Sequence, residues 1–270
     1  MTSVSKLTIE IAANVARLQS DMDKVNSTVE GAMKRVRQSV ELAGRALGAL
    51  GVGISVSQLV RVADEYTKFT AQIRLATNGQ NEFAAAYSDV VSIASSSQSD
   101  INALGTLYAR IANSTRELGL AQSDVAKITE TVGLSLRVSG ATAAESSSAM
   151  LQLSQAFGSG VLRGEEFNAV NEAAPGLLRA LAASIGVPVG ALRDMASNGE
   201  LTADVLAKAF GDDELLAKLR EQAKEVQTVS SAMTALGNEL TVAIGELDKA
   251  TGASASLAEA ITGIARSIKG

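Results

Sequence analysis

The sequence contains no histidine, cysteine or tryptophan, only two prolines, and among aromatics only five Phe and three Tyr in 270 residues. Histidine and cysteine carry most acid–base, nucleophilic and metal chemistry at neutral pH, so their absence removes zinc sites, haem ligation and disulfide frameworks from consideration. No cofactor and no metal is expected. A chain without thiols is compatible with reducing and oxidising compartments alike. An aromatic share of 3% leaves too little flat apolar surface for cofactor pockets or for platforms on which nucleic-acid bases stack. The formal charge of −5 and a pI near 5.0 argue further against a nucleic-acid partner, which calls for a basic face.

What is present is small and apolar. Residues of the AVILMFWYC set make up 46% of the chain, mostly Ala, Val, Leu and Ile. Both prolines, Pro175 and Pro188, fall in the second half, so the first 174 residues carry no proline to break a helix. The fold class read from this is mainly all-α: a multi-helix bundle, a compact short-helix subdomain, long flanking helices, and room for one short N-terminal strand where Leu7, Ile9 and Ile11 alternate with Thr8 and Glu10. No secretory signal is expected from Met1 to Lys6.

Four regions follow. Residues 1–52 hold the strand, an amphipathic helix with the stripe Leu18, Met22, Val25, Val29, Met33, Val36 and Val40, and a Gly-rich joint. Residues 53–157 read as a five-helix bundle: Ser57 to Leu75 stopped by Asn78-Gly79, Glu82 to Ser95, Asp100 to Glu117 ending at Gly119, Ser123 to Val138 ending at Gly140, and a helix opened by the Thr142-x-x-Glu145 capping box. Each is read with a polar start and a glycine stop. Residues 158–211 are divided by Gly158, Gly160, Gly164, Gly176, Gly186, Gly190 and Gly199 into short helices, with Pro175 and Pro188 each in a first helical turn and Thr202 opening the last. Residues 212–270 return to a long amphipathic extension, on which Leu215, Leu219, Val226, Val229, Met233, Leu236, Leu240, Ile244 and Leu247 form a single stripe.

The chemical motifs are poor. Ser3-x-x-Lys6 has nucleophile spacing without a Lys-Thr-Gly partner, and Asp21-x-Asp23 opens like a calcium loop but continues with Val25. Gly158-x-Gly160-x-x-x-Gly164 misses the dinucleotide spacing. Glu165-Glu166 with Glu172 could serve a cell-wall hydrolase as acid and base, although adjacent carboxylates in a first turn ordinarily answer the helix dipole. Gly44-x-x-x-Gly48, which overlaps the apolar Ala46 to Val56 region, would suit a membrane-active or secreted helical binding module, but that region is far short of the roughly 20 residues a spanning helix requires.

One composite of motifs is specific. It joins Gln152-Leu-Ser-Gln155-Ala-Phe-Gly158-Ser-Gly160-Val-Leu162-Arg-Gly164-Glu165-Glu166-Phe167-Asn to Pro175 and then to Gly199-Glu-Leu201-Thr202-Ala-Asp-Val205. Upstream it extends through Tyr66-Thr-Lys-Phe69, Arg74-Leu-Ala-Thr77, Leu107-Tyr-Ala-Arg110 and Ser139-Gly140-Ala141. Together these resemble the N-terminal domain of tail tape measure proteins from long-tailed bacteriophages and prophages. The resemblance implies a structural and assembly protein, not an enzyme. It implies a chain that sets tail length, occupies the tail tube lumen, is present in the host cytoplasm during assembly, and meets a membrane at most during infection. Implied partners are other copies of itself, the tail tube protein, tail assembly chaperones, and tail terminator or tip proteins. A fully helical chain of this length would reach only about 400 Å, so the sequence is expected to be the N-terminal module of a longer tape.

Overall fold

The computed structural model describes residues 56–116, 119–226 and 228–252, with positions 34, 255, 258 and 259 besides. The proposed N-terminal strand, the amphipathic stripe before Val40, most of the Gly-rich joint, Ser3-x-x-Lys6 and Asp21-x-Asp23 lie outside the described residues. Those residues form eleven helices: α1 Val56–Ala76, α2 Gln80–Ser97, α3 Ile101–Thr115, α4 Gln122–Val138, α5 Ala143–Ser159, α6 Gly164–Ala173, α7 Pro175–Ile185, α8 Val189–Ser197, α9 Ala203–Phe210, α10 Asp213–Glu225 and α11 Val229–Thr251. Glu65–Leu240 is one compact unit; the described residues before and after it belong to a second.

Within Glu65–Leu240 the axis of the fold is α4, against which α2, α3, α5, α7, α9 and α10 all pack. Its sequence explains the position. Every residue from Thr131 to Leu136 is buried, as befits a helix apolar or small on all sides. Two of its buried threonines are satisfied locally, Thr129 Oγ1 donating to the Val125 carbonyl at 2.8 Å and Thr131 Oγ1 to that of Lys127 at 3.0 Å, whereas the Ser135 hydroxyl is buried without a hydrogen-bond partner. Phe69, Ile73, Val90, Leu104, Leu107, Ile111, Ile128 and Phe157 are 0% exposed and belong to the core, with Phe69 of α1 lying against Gly105 of α3. The aromatics Tyr66, Phe69, Tyr87 and Phe83 run in sequence with ring centroids 5.6–6.5 Å apart, and the Arg74 guanidinium lies 4.7 Å above Phe83.

The helix starts follow their capping chemistry. Asp100 accepts from the Ala103 N–H at 2.8 Å, Thr202 from Val205 at 3.3 Å, and Asp212 from Leu215 at 2.7 Å. The Thr142 box closes in both directions, with Glu145 accepting the Thr142 N–H at 2.7 Å. Gly79, Gly119, Gly140, Gly160, Gly186 and Gly199 all have positive φ.

The structure departs from the expected pattern in four places. Asn78 does not share Gly79's positive φ, so the stop after α1 rests on the glycine alone. Helix α2 runs on to Ser97 and ends without a glycine: Gln98 takes the left-handed conformation at φ 53°, while the Arg137 guanidinium bonds the Ser96 carbonyl at the helix end. Pro188 stands one residue outside α8, as its N-cap. The stripe read from Leu215 to Leu247 is carried by two helices, because Val226 is extended at φ −101°, ψ 105°.

Candidate functional site

The motif residues between Gln152 and Thr202 build a piece of architecture. Helix α5 ends at Gly160, whose φ of 85° turns the chain sharply. The next two residues then run antiparallel to residues 201–202: Val161 and Thr202 form a β-bridge, the Leu162 N–H donates to the Leu201 carbonyl at 2.8 Å, and the Ala203 N–H donates to the Gly160 carbonyl at 2.8 Å. Leu162 and Leu201 are fully buried beside this bridge. The approach from the other side depends on Gly199, at φ 72°, where the Glu200 N–H returns to the Met195 carbonyl at the end of α8.

Thus Gly160, Leu162, Gly199, Leu201 and Thr202, forty residues apart in sequence, form one staple. It closes α6, α7 and α8 into a loop of short helices. A two-residue bridge is too short to appear as strand periodicity, which is why the sequence pattern does not announce it.

The remaining motif residues surround the staple in different roles. Gly164 is the first residue of α6, lacks a positive φ, and would place a Cβ in open space. Expected as a helix start or a positive-φ site, it is the former only. Glu165 is exposed and Glu166 half-buried in the same first turn, facing the positive end of the α6 dipole. One Glu166 oxygen is buried without a hydrogen-bond partner. Glu172 is exposed near the far end of α6, so the three carboxylates imagined as an acid–base set line one helix. Phe167 and Val170 bury the opposite face. Gln152 is half-buried and Gln155 exposed on α5, while Gly158 underlies the Arg110 side chain.

Pro175 opens α7, and its neighbour Gly176 marks the tightest approach. A Cβ there would stand 1.8 Å from Ser139 Oγ and 2.7 Å from Ser139 Cβ. The Ser139-Gly140-Ala141 corner and the Pro175-Gly176 turn are therefore one contact, joining the bundle to the short helices.

Two further residues hold the unit together that sequence reasoning did not single out. Arg137 Nε and Nη2 donate to the Val226 carbonyl at 3.0 and 2.9 Å, and burial lowers the guanidinium's affinity for its proton. Asn238 is 7% exposed; its Nδ2 donates to the Ser99 carbonyl at 2.7 Å and its Oδ1 accepts the Ile101 N–H at 3.1 Å. Asn238 lies two residues from both Leu236 and Leu240, off the predicted apolar stripe, so no periodicity in the sequence marks it.

A family model described as tape measure protein matches residues 57–249. The chain belongs to the tape measure protein family. No curated protein and no solved structure matches it. The family match takes in the whole staple and every motif residue from Gln152 to Thr202. As a tape measure protein the chain is a structural component of a phage tail. No single helix among its described residues is long and apolar enough to cross a membrane. The bent pair Pro175–Ile185 and Val189–Asn198, which passes on length and composition, buries Leu177, Leu178, Leu181 and Leu192 within the protein.

Proposed function

We propose that this tape measure chain sets tail length as part of a longer tape, whose N-terminal module it forms, and that it occupies the tube lumen in the virion and the host cytoplasm during assembly. Its partners on this reading are other copies of itself, the tail tube protein, assembly chaperones, and terminator or tip proteins. Glu65–Leu240 acts as a folded unit of fixed size, and the length-setting belongs to long helical stretches elsewhere in the tape.

The observation that supports this division is the staple at Gly160–Leu162 and Leu201–Ala203, which folds the chain back on itself. A ruler lengthens by about 1.5 Å for each helical residue added. A stapled unit does not, since removing residues inside it destroys the closure instead of shortening a rod. In-frame deletions within Gly158–Gly211, made in the phage, should abolish tail assembly. Deletions of whole helical turns in the ruler should give proportionately shorter tails in electron micrographs. Viable phage with tails shortened in proportion after loss of Gly158–Gly211 would refute the division.

A further inference from the structure

Helices α2 and α10 both pack on α4. Between them lies an open cleft of about 520 Å³, with Ser123 and Ala126 of α4 along its floor, Ala85 and Asp89 of α2 on one side, and Leu216 and Arg220 of α10 on the other.

The charges in this cleft pair off with one remainder. Lys127 Nζ reaches the Asp213 carboxylate at 2.7 Å, and the Arg220 guanidinium grips Glu130 through two 2.7 Å bonds, so both cations are engaged in tying α10 to α4. Asp89 is left over. It makes no hydrogen bond or ion pair with the described residues. Its own helix cannot supply a partner, since α2 from Gln80 to Ser97 contains no Lys or Arg. Half-burial holds this carboxyl above its ordinary value of 3.8, and no neighbouring cation opposes the shift.

Partly burying a charge without a counter-ion costs stability, so the fold itself gains nothing from Asp89. What the position offers is a carboxylate with both oxygens free, beside the small apolar surfaces of Ala85 and Ala126 and the buried Leu216. A guanidinium on an aliphatic stem matches that combination, its fork meeting the carboxylate and its methylenes the apolar patch. A cofactor-like small molecule matches it poorly. The lining holds no aromatic residue, and Ala85, Ser123 and Arg220 are exposed, so a guest stays open to solvent on one side, as a side chain projecting from a protein surface does.

We infer that the cleft between α2 and α10 is a docking site for an arginine side chain presented by another protein chain, with Asp89 as its counter-charge. The inference rests on the cleft alone and is independent of the tail-length reading.

N-acetyl-arginine amide carries the required side chain with no second charge, and N-acetyl-citrulline amide is its neutral isostere. In amide-resolved NMR titrations of the 270-residue chain near neutral pH, the arginine probe should give saturable shifts at Ala85, Asp89 and Ala126. The citrulline probe should bind at least about tenfold more weakly. Asp89→Asn should weaken the arginine probe by about tenfold or more without lowering Tm, because the substitution removes an unpaired charge. Ala85→Arg, one turn before Asp89, installs the missing cation within the protein; it should raise Tm and exclude the probe. Glu172→Gln, on α6 and outside the cleft, makes the same change in net charge as Asp89→Asn and should leave the affinity unaltered. The absence of saturable shifts, equal binding of the two probes, or unchanged affinity in Asp89→Asn or Ala85→Arg would overturn the site. So would an equal loss in Glu172→Gln, or a fall in Tm for Asp89→Asn, which would mean that the carboxylate has its partner within the fold.

Discussion

Gly176→Ala is the most incisive test of how the short helices join the bundle. The residue lies in the first turn of α7 and has no positive φ, so the backbone itself would accept alanine and gain up to about 1 kcal/mol from the lower entropy of the unfolded chain. The neighbourhood would not accept it. The new methyl would stand 1.8 Å from Ser139 Oγ, 2.7 Å from its Cβ and 3.4 Å from its Cα, so rotating the hydroxyl away leaves the second clash in place. That hydroxyl is also engaged, donating to the Ser135 carbonyl at 2.5 Å. Overpacking of this kind costs about 1 to 3 kcal/mol. The net expectation is a loss of about 1 to 2 kcal/mol, or roughly 2 to 8 °C in Tm for a unit of this size.

The decisive measurement is a double-variant cycle by urea and thermal denaturation. Ser139→Gly removes both offending atoms, so Gly176→Ala should cost far less in that background than in the native one, with a coupling of about 1 kcal/mol or more. Equal cost in both backgrounds, or stabilisation by Gly176→Ala alone, would refute the close approach.

The motif glycines should separate by conformation. Gly160→Ala and Gly199→Ala, at φ 85° and 72°, should each lose about 1 to 2 kcal/mol, whereas Gly164→Ala should be neutral or slightly stabilising in the same urea titration. Thr142→Ala should cost about 1 kcal/mol by removing the α5 cap. The Thr142 N–H and hydroxyl hold the Glu145 carboxyl below its ordinary value of 4.5, so this contribution is complete above that pH and is lost as pH falls through the lowered folded value. Glu145→Gln should flatten that acid limb of the stability–pH curve, and an unchanged limb would dissociate the carboxylate from the cap.

Much of this molecule is legible before folding is considered. Cap residues and positive-φ glycines act within four or five residues of themselves, so Asp100, Thr142, Thr202, Gly140, Gly160 and Gly186 mark their helix ends in sequence as they do in space. The apolar periodicity of α3 likewise reports a buried face, because burial there repeats with the helix turn. The composite of motifs from Gln152 to Thr202 was enough to indicate the family.

Tertiary structure decided what no local rule contains. The pairing of Gly160–Leu162 with Leu201–Ala203 depends on main-chain groups, which every residue possesses and no side-chain pattern reveals. The closeness of Gly176 to Ser139 exists only once two distant turns meet. The interruption at Val226 runs against a stripe that is continuous in sequence: a guanidinium 89 residues away takes the Val226 carbonyl, while Thr228 caps the helix that follows. Short-range chemistry determined where helices begin and end in this protein, and long-range polar contacts determined which of them were joined, stapled or bent.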